Sequence, residues 1–439
     1  MSRPRRSRRL GLPVLAPVLA GVVAAAVLLA GCGSSSSAGS ELPGGSGGDA
    51  AYNPTHRDFA QVQALLARRA AAVRHHDEQA FMATVDDRTS ALVAQQRTEF
   101  ENMDQLSIAS LRYVVDPSST LVPAAVPGDD PTLRPDVVEF LQISGTMQHP
   151  VSNELEETFV KRDGHWLVGA ETTSKDNDSF DAAQERPWFG VPIVAQRDGA
   201  MTVLVDKARA STLHTLTSAV HDDIGVDAAA LGIKPSFAIL VDATSNGNAT
   251  TFSSLSTEQA AAVTFALSEA DPKDTSSFKA LAGHAIKINP HQSGTYADDT
   301  GLLRHELTHF LLHEYTGNNP KWLVEGIATW MQYYPDVFTD LSVPADLYHR
   351  LMSADRELPV VGLFNDDPDV NYPIAQASVT WLVSQYGMPK LLALMKAYQT
   401  HYQGANVDAL TPRLLRLVYG IDEHEVVAGA FHLLAEYQH

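Results

Sequence analysis

Two histidines one helical turn apart, with a glutamate beside the first, constrain this chain more than any other feature. His305, Glu306 and His309 form the pattern H-E-x-x-H within RHELTHFLLHEYTGNNPKWLVEGIATW, residues 304–330. Positions i and i+4 share one face of a helix, so both imidazoles can bind a single metal ion. Glu306, the next residue round, can reach a water on that ion without being a ligand. Two His ligands, a carboxylate base and a third protein ligand from elsewhere make the donor set of a zinc hydrolase. Leu302, Leu303, Leu307, Phe310 and Leu311 supply the packing face of this helix, and Gly317-Asn318-Asn319-Pro320 ends it. A second helix is predicted over Lys321–Tyr334, stopped by Pro335. It carries one carboxylate, Glu325, on an otherwise apolar stretch. A buried, unpartnered carboxylate costs several kcal/mol, so Glu325 calls for a metal ion or strong hydrogen bonds.

The other end of the chain speaks to location. Five arginines lie within residues 1–9, an apolar run follows over 10–30, and Leu29-Ala30-Gly31-Cys32 closes it. A basic start, an apolar middle and a small-residue cleavage site read as a signal peptide over residues 1–31. The L-A-G-C ending resembles the bacterial lipobox, which implies cleavage before Cys32 and lipidation of its thiol. The competing reading is an uncleaved transmembrane anchor with an incidental cysteine. Ser7-Arg8-Arg9 shares a fragment of the twin-arginine export pattern. Cys32 is the one cysteine of 439 residues, so no intramolecular disulfide is possible. The net charge of −20 becomes more negative once the five arginines leave. Such a surface argues against nucleic acid and against electrostatic adsorption to anionic lipid.

Between the two ends the pattern is α+β. Residues 32–54 form a Gly/Ser-rich tether. Residues 55–175 open with a helix carrying Phe59, Val62, Leu66, Arg69 and Val73. A second helix is expected over about 79–101, then strands at Ser107–Val115, Val137–Ile143, Glu154–Lys161 and Trp166–Ala170. Residues 176–187 read as a linker. From 188 to 439 the reading begins with a strand at Met201–Val205, a helix at Ala208–His221 and a strand at Phe237–Val241. A helix at Thr257–Ala270, capped by Ser256 or Thr257, and a short strand at Ala285–Ile288 follow. The rest is helical, with apolar faces built on Val379, Leu382, Val383 and Tyr386, on Leu391, Leu392, Leu394, Met395 and Tyr398, and on Val426, Val427, Phe431 and Leu434. Several polar clusters have simpler readings than a site. His75 and His76 diverge on a helix and mark a solvated end. Asp422-Glu423-His424-Glu425 is an acidic helix start. Asp366-Asp367-Pro368-Asp369 is a solvated loop, with calcium binding as the alternative.

Two family resemblances sharpen these readings. The helices and long meander of residues 55–175, ending in R-D-G-H-W-L-V-G, resemble the NTF2-like (cystatin-like) cone fold. H-E-L-T-H followed by W-L-V-E-G-I-A-T resembles the gluzincin metallopeptidases, most closely the bacterial peptidase MA-like group. The specific match covers about 300–335. It implies Zn2+ bound by His305, His309 and Glu325, with a water in the fourth position. It also implies Glu306 as the general base for attack on a peptide carbonyl, hence a peptide or protein substrate. The oxyanion donor by the same analogy is a later Tyr or His. Tyr372, in N-Y-P-I-A-Q-A-S, is the choice over Tyr333, Tyr334 and Tyr386, its alternative being a packing aromatic. By the same analogy Ala285–Ile288 would be the edge strand that pairs with an extended substrate, its alternative being an ordinary core strand, with His284 and His291 flanking it. His313 extends the face of His309, but Glu325 is the better third ligand. The sequence departs from the thermolysin-like group at two points. His309 and Glu325 are only sixteen positions apart, and Thr329 stands where that group has an Asp to orient a zinc-bound His. The expectation is an exported, lipid-anchored zinc metallopeptidase. Two other readings fit the motif: an inactive zincin-like scaffold lipoprotein, and a zinc amidase acting on cell-wall material.

Overall fold

The computed structural model describes residues 54–121, 130–173, 186–246, 262–271, 274–288, 300–335, 345–360, 364, 366–402, 404 and 406–436. The signal-like segment, Cys32 and its tether, most of the predicted linker, the Ser256/Thr257 cap and His291 lie outside these residues. The chain is α+β, as the sequence pattern requires.

The first unit begins with helix α1 (His56–Arg74). The Asp58 carboxylate accepts from both the main chain and the hydroxyl of Thr55, closing the first turn. The helix expected over 79–101 is instead two, α2 (Glu78–Met82) and α3 (Ser90–Asp104). Between them the chain turns extended. Asp86 N donates to Val168 O and Val168 N donates to Thr84 O, so the break is stitched to a strand. Four antiparallel strands follow in sequence order: β1 (Ile108–Leu121), β2 (Thr132–Ile143), β3 (Val151–Arg162) and β4 (His165–Thr173). All four predicted strands are present, each longer than expected. Asp163 and Gly164, both at positive φ, make the two-residue hairpin between β3 and β4.

The second sheet has the order β5-β6-β7-β9-β8, from β5 (Ile193–Asp198), β6 (Met201–Asp206), β7 (Leu240–Ala243), β8 (Ala262–Asp271) and β9 (Asp274–Ile288). Its centre, β6-β7-β9, is parallel, while β5 and β8 are antiparallel to their neighbours. Helix α4 (Leu213–Leu231) connects β6 to β7 after a 3-10 turn at Lys207–Thr212, and Gly232 at φ +70° terminates it. Two expectations fail here. Residues 262–270 are strand, not helix: buried Val263, Phe265 and Leu267 alternate with more open neighbours, the period-2 pattern of a sheet. Ala285–Ile288 is not an edge. It lies within β9, paired on one side with β7 and on the other with β8, which ends the sheet.

Both faces of this sheet are covered. Val203, Val205, Val241, Ala243, Ile286 and Ile288 pack into one core with the helices that follow. Leu204, Leu240, Val263, Phe265, Leu267 and Ala285 pack into another with the first unit. Single hydrogen bonds cross the same junction, from Ala270 N to Ser152 Oγ and from Gln148 N to Ala282 O. The helices are α5 (Thr300–Leu311), α6 (His313–Thr316), α7 (Lys321–Gln332), α8 (Ala345–Ser353), α9 (Pro368–Tyr386), α10 (Met388–His401), α11 (Thr411–Val418) and α12 (Glu423–Glu436). Among the described residues none is long and apolar enough to cross a membrane.

Residues 186–193, which lead into the second sheet, are gripped by the first unit. Arg186 is buried and ion-paired with Glu99 (2.8 Å), Glu171 (2.9 Å) and Glu139 (3.3 Å). Arg69 shares Glu99 and Glu171 from the opposite side. Trp188 is fully buried, and Asn102 holds Trp188 O, Val191 O and Ile193 N. Four carboxylates therefore face two guanidiniums in one interior, counting Glu157. Burial pushes the Glu99 carboxyl up to about 8, with Glu171 adding to the effect and the two guanidiniums opposing it. A raised carboxyl keeps a proton that the unfolded chain has already lost. Its stabilising contribution is complete below the unfolded value and fades as pH climbs from about 5 to 8. Chemical denaturation across that range should show stability falling with pH, and Glu99→Gln should flatten the fall. An unchanged slope in the variant would show that Glu99 does not titrate there.

Candidate metal centre

The site is made by two helices that meet at right-sized side chains. On α5, Leu303, Leu307 and Phe310 bury one face and leave His305 and His309 on another. Arg304 anchors the helix from behind: its Nε donates to Asp227 Oδ1 of α4 at 3.0 Å, and Thr308 Oγ1 reaches Asp227 Oδ2 at 3.5 Å. Burial raises the Asp227 carboxyl to about 7 even with Arg304 opposing it. On α7 every residue from Trp322 to Met331 is buried. At Gly326, next to Glu325, α9 packs directly against the α7 backbone. A Cβ there would stand 2.6 Å from Ala375 O and 2.7 Å from Val379 Cγ2, so only glycine lets the two helices approach.

These helices bring the three predicted ligands together. Glu325 Oε2 lies 3.5 Å from His305 Nε2 and 3.6 Å from His309 Nε2. One ligand atom from each of the three lies within 4.8 Å of the others, and this is the metal-capable group found among the described residues. The imidazole rings are 4.9 Å apart at 72°. All three side chains are buried, Glu325 completely. Burial alone would push Glu325 up, but the His309 and His305 imidazoles hold it down at about 2. Burial likewise depresses His309, and the Glu325 carboxylate more than reverses that.

The described residues leave much of the site's polar surface without protein partners. Both oxygens of Glu325, both ring nitrogens of His305, His309 Nε2 and Glu306 Oε1 are buried with no hydrogen-bond partner. Buried groups of this kind are ordinarily satisfied. Ligand atoms about 2.1 Å from a tetrahedral ion stand roughly 3.4 Å apart, close to the separations seen here. His305, His309 and Glu325 could therefore hold a metal ion.

Glu306 is fully buried beside them. Its Oε2 accepts from Thr264 Oγ1 of β8 at 2.7 Å. Tyr372 lies within α9, its ring 6.5 Å from that of His305 and edge-on to Phe364 at 5.0 Å. Of its rivals, Tyr334 packs on Trp330 and its carbonyl accepts from Arg304, while Tyr386 packs on Trp381 and Tyr419 at the far end of α9. Tyr333 caps the end of α7. His284 and His313 form a separate ring pair 4.1 Å apart against Phe310, and His313 Nδ1 donates to Phe310 O. Burial, with His313 alongside, pushes His284 down to about 3. Thr329 is buried one turn after Glu325 and its hydroxyl has no hydrogen-bond partner.

The clusters set aside in the sequence have structural roles. His76 closes α1 at positive φ beside Asp104. Asp367 and Asp369 pair with Arg350 on the surface. Asp422 and Glu425 exchange reciprocal bonds that cap α12. Thr264 and Asp227 were not legible as site residues. The only local sign of Asp227 is its spacing one turn after Asp223, on a helix that also carries Asp222 and His221.

No family model matches the chain, and no curated protein matches it. Among solved structures it is similar to Rv3472, a protein of unknown function from Mycobacterium tuberculosis, determined as a single-substitution form. The identity is 16%, the likeness covers 28% of this chain and 82% of that one, and the TM-score is 0.20. A likeness of that size supports no inference about fold or function.

Proposed function

We propose that this chain is a zinc-dependent metallopeptidase of the gluzincin type, similar to the peptidase MA-like group, carried on an exported and lipid-anchored protein. The single observation that supports this most is the convergence of His305, His309 and Glu325 with a buried, half-satisfied Glu306 beside them. Zinc held by these residues would supply a Lewis acid and lower the pKa of a bound water to near neutrality. The protein's part is then proton handling and charge placement. Glu306 Oε1 takes the proton of the attacking water and passes it to the leaving amine. Tyr372 donates from its hydroxyl to the oxyanion that develops on the scissile carbonyl. The Asp227–Arg304 pair fixes the rotation of α5, so the two imidazoles keep their mutual angle.

The architecture that goes with this reading is an NTF2-like first unit, three helices before a four-stranded meander, built onto the sheet of a zincin-type unit. With Ala285–Ile288 interior to the sheet, the end strand that reaches the centre is β8, through Thr264. Anchoring is read from residues 1–32 alone, through lipid on Cys32, and the acidic net charge speaks against a nucleic-acid partner.

Glu306→Gln should retain zinc and lower peptide cleavage by about 100- to 10,000-fold. Zinc-loaded wild-type protein that cleaves nothing in a broad peptide library would favour the scaffold or cell-wall amidase reading. For location, Cys32→Ser should move the protein from the membrane fraction to the soluble one. Retention in the membrane would point to an uncleaved apolar segment.

A further inference from the structure

The two carboxylate oxygens of Glu306 are not equivalent. Thr264 Oγ1 donates to Oε2 at 2.7 Å, and the same hydroxyl lies 2.9 Å from the main-chain carbonyl of Glu306. Oε1 is buried with no hydrogen-bond partner. Thr264 is placed by register, opposite Ile286 of β9, on the sheet face that meets the helices. A one-residue slip would turn its side chain to the other face, where Val263 and Phe265 are buried against the first unit. Its β-branched side chain has few χ1 choices, so the hydroxyl is held where the strand puts it.

The clamp matters because of what Glu306 would otherwise do. A glutamate has three rotatable side-chain bonds. A carboxylate next to a divalent ion in a buried site is drawn strongly towards it. Unrestrained, Glu306 would bind the ion as a further ligand and fill the position a water needs. We infer that Thr264 is a positioning residue of this centre: its hydroxyl ties down Glu306 Oε2, keeps the carboxylate from ligating the metal, and reserves Oε1 for proton transfer. This inference rests on the metallopeptidase reading for its kinetic consequence, but its structural consequence stands on metal binding alone.

Cobalt(II) in place of zinc separates the two, because its visible absorption reports the number and kind of ligands. Thr264→Val, which removes the hydroxyl at nearly constant volume, should still bind one cobalt ion but with an altered spectrum. Thr264→Ser should restore the wild-type spectrum. The alteration should vanish in Thr264→Val/Glu306→Gln, which lacks the carboxylate that would swing in. With zinc and a peptide substrate, Thr264→Val should lower kcat about 10- to 100-fold with little change in KM, and Thr264→Ser should recover it. A wild-type spectrum in Thr264→Val, or a change that persists without the Glu306 carboxylate, overturns the clamp. Wild-type protein that binds cobalt yet cleaves no peptide overturns the peptidase reading and leaves the spectra to decide on Thr264. Wild-type protein that binds no cobalt overturns both.

Discussion

A carboxylate with no hydrogen-bond partner, fully buried between two imidazoles, is the constraint on which the helical half of this molecule depends. Glu325 could not be placed there cheaply: a lone buried charge costs far more than a typical domain's net stability can spare. What surrounds it is arranged to bring compensating groups close. Gly326 lets α9 press against α7, with no room for even a methyl group. Arg304 and Asp227 lock α5 from the opposite side. The result is a carboxylate oxygen 3.5–3.6 Å from two imidazole nitrogens across two helices, a spacing that could hold a shared metal ion.

The second sheet is what joins this centre to the rest of the chain. Its helix-facing side presents Thr264 to Glu306, and its other side is buried by the first unit. The first unit is therefore a structural layer of the molecule, not a bead on a string. Arg186 and Trp188 make the point at residue level. They precede the second sheet in sequence but are buried in the interior of the first unit, where Arg186 neutralises carboxylates from α3, β2 and β4. Removing one partner from such a network leaves an uncompensated buried charge.

Local pattern revealed much of this. The ligand helices, the later amphipathic helices and the four-stranded meander all carry strong 3.6- or 2-residue periods, and all are present. The misreadings have particular causes. Residues 79–101 look like one helix, but Thr84 and Asp86 bond to β4, a partner more than eighty residues away. The run A-V-T-F-A-L-S-E-A is rich enough in alanine to suggest a helix, yet pairing with β9 makes it β8, because strand preference is set largely by neighbours. That β9 inserts between β7 and β8 is a fact of topology, with no local signature. The same holds for the site. His305, Glu306, His309 and Glu325 sit close in sequence and could be read together. Thr264 and Asp227 act on that stretch from 42 and 77 residues away, and only the fold brings them there.

X-ray absorption at the zinc edge tests the central claim most directly. Zinc-loaded protein should show a first shell of two imidazole nitrogens and one or two oxygens at about 2.0–2.1 Å. A six-oxygen shell like that of the hydrated ion, or failure to retain zinc, would contradict the account.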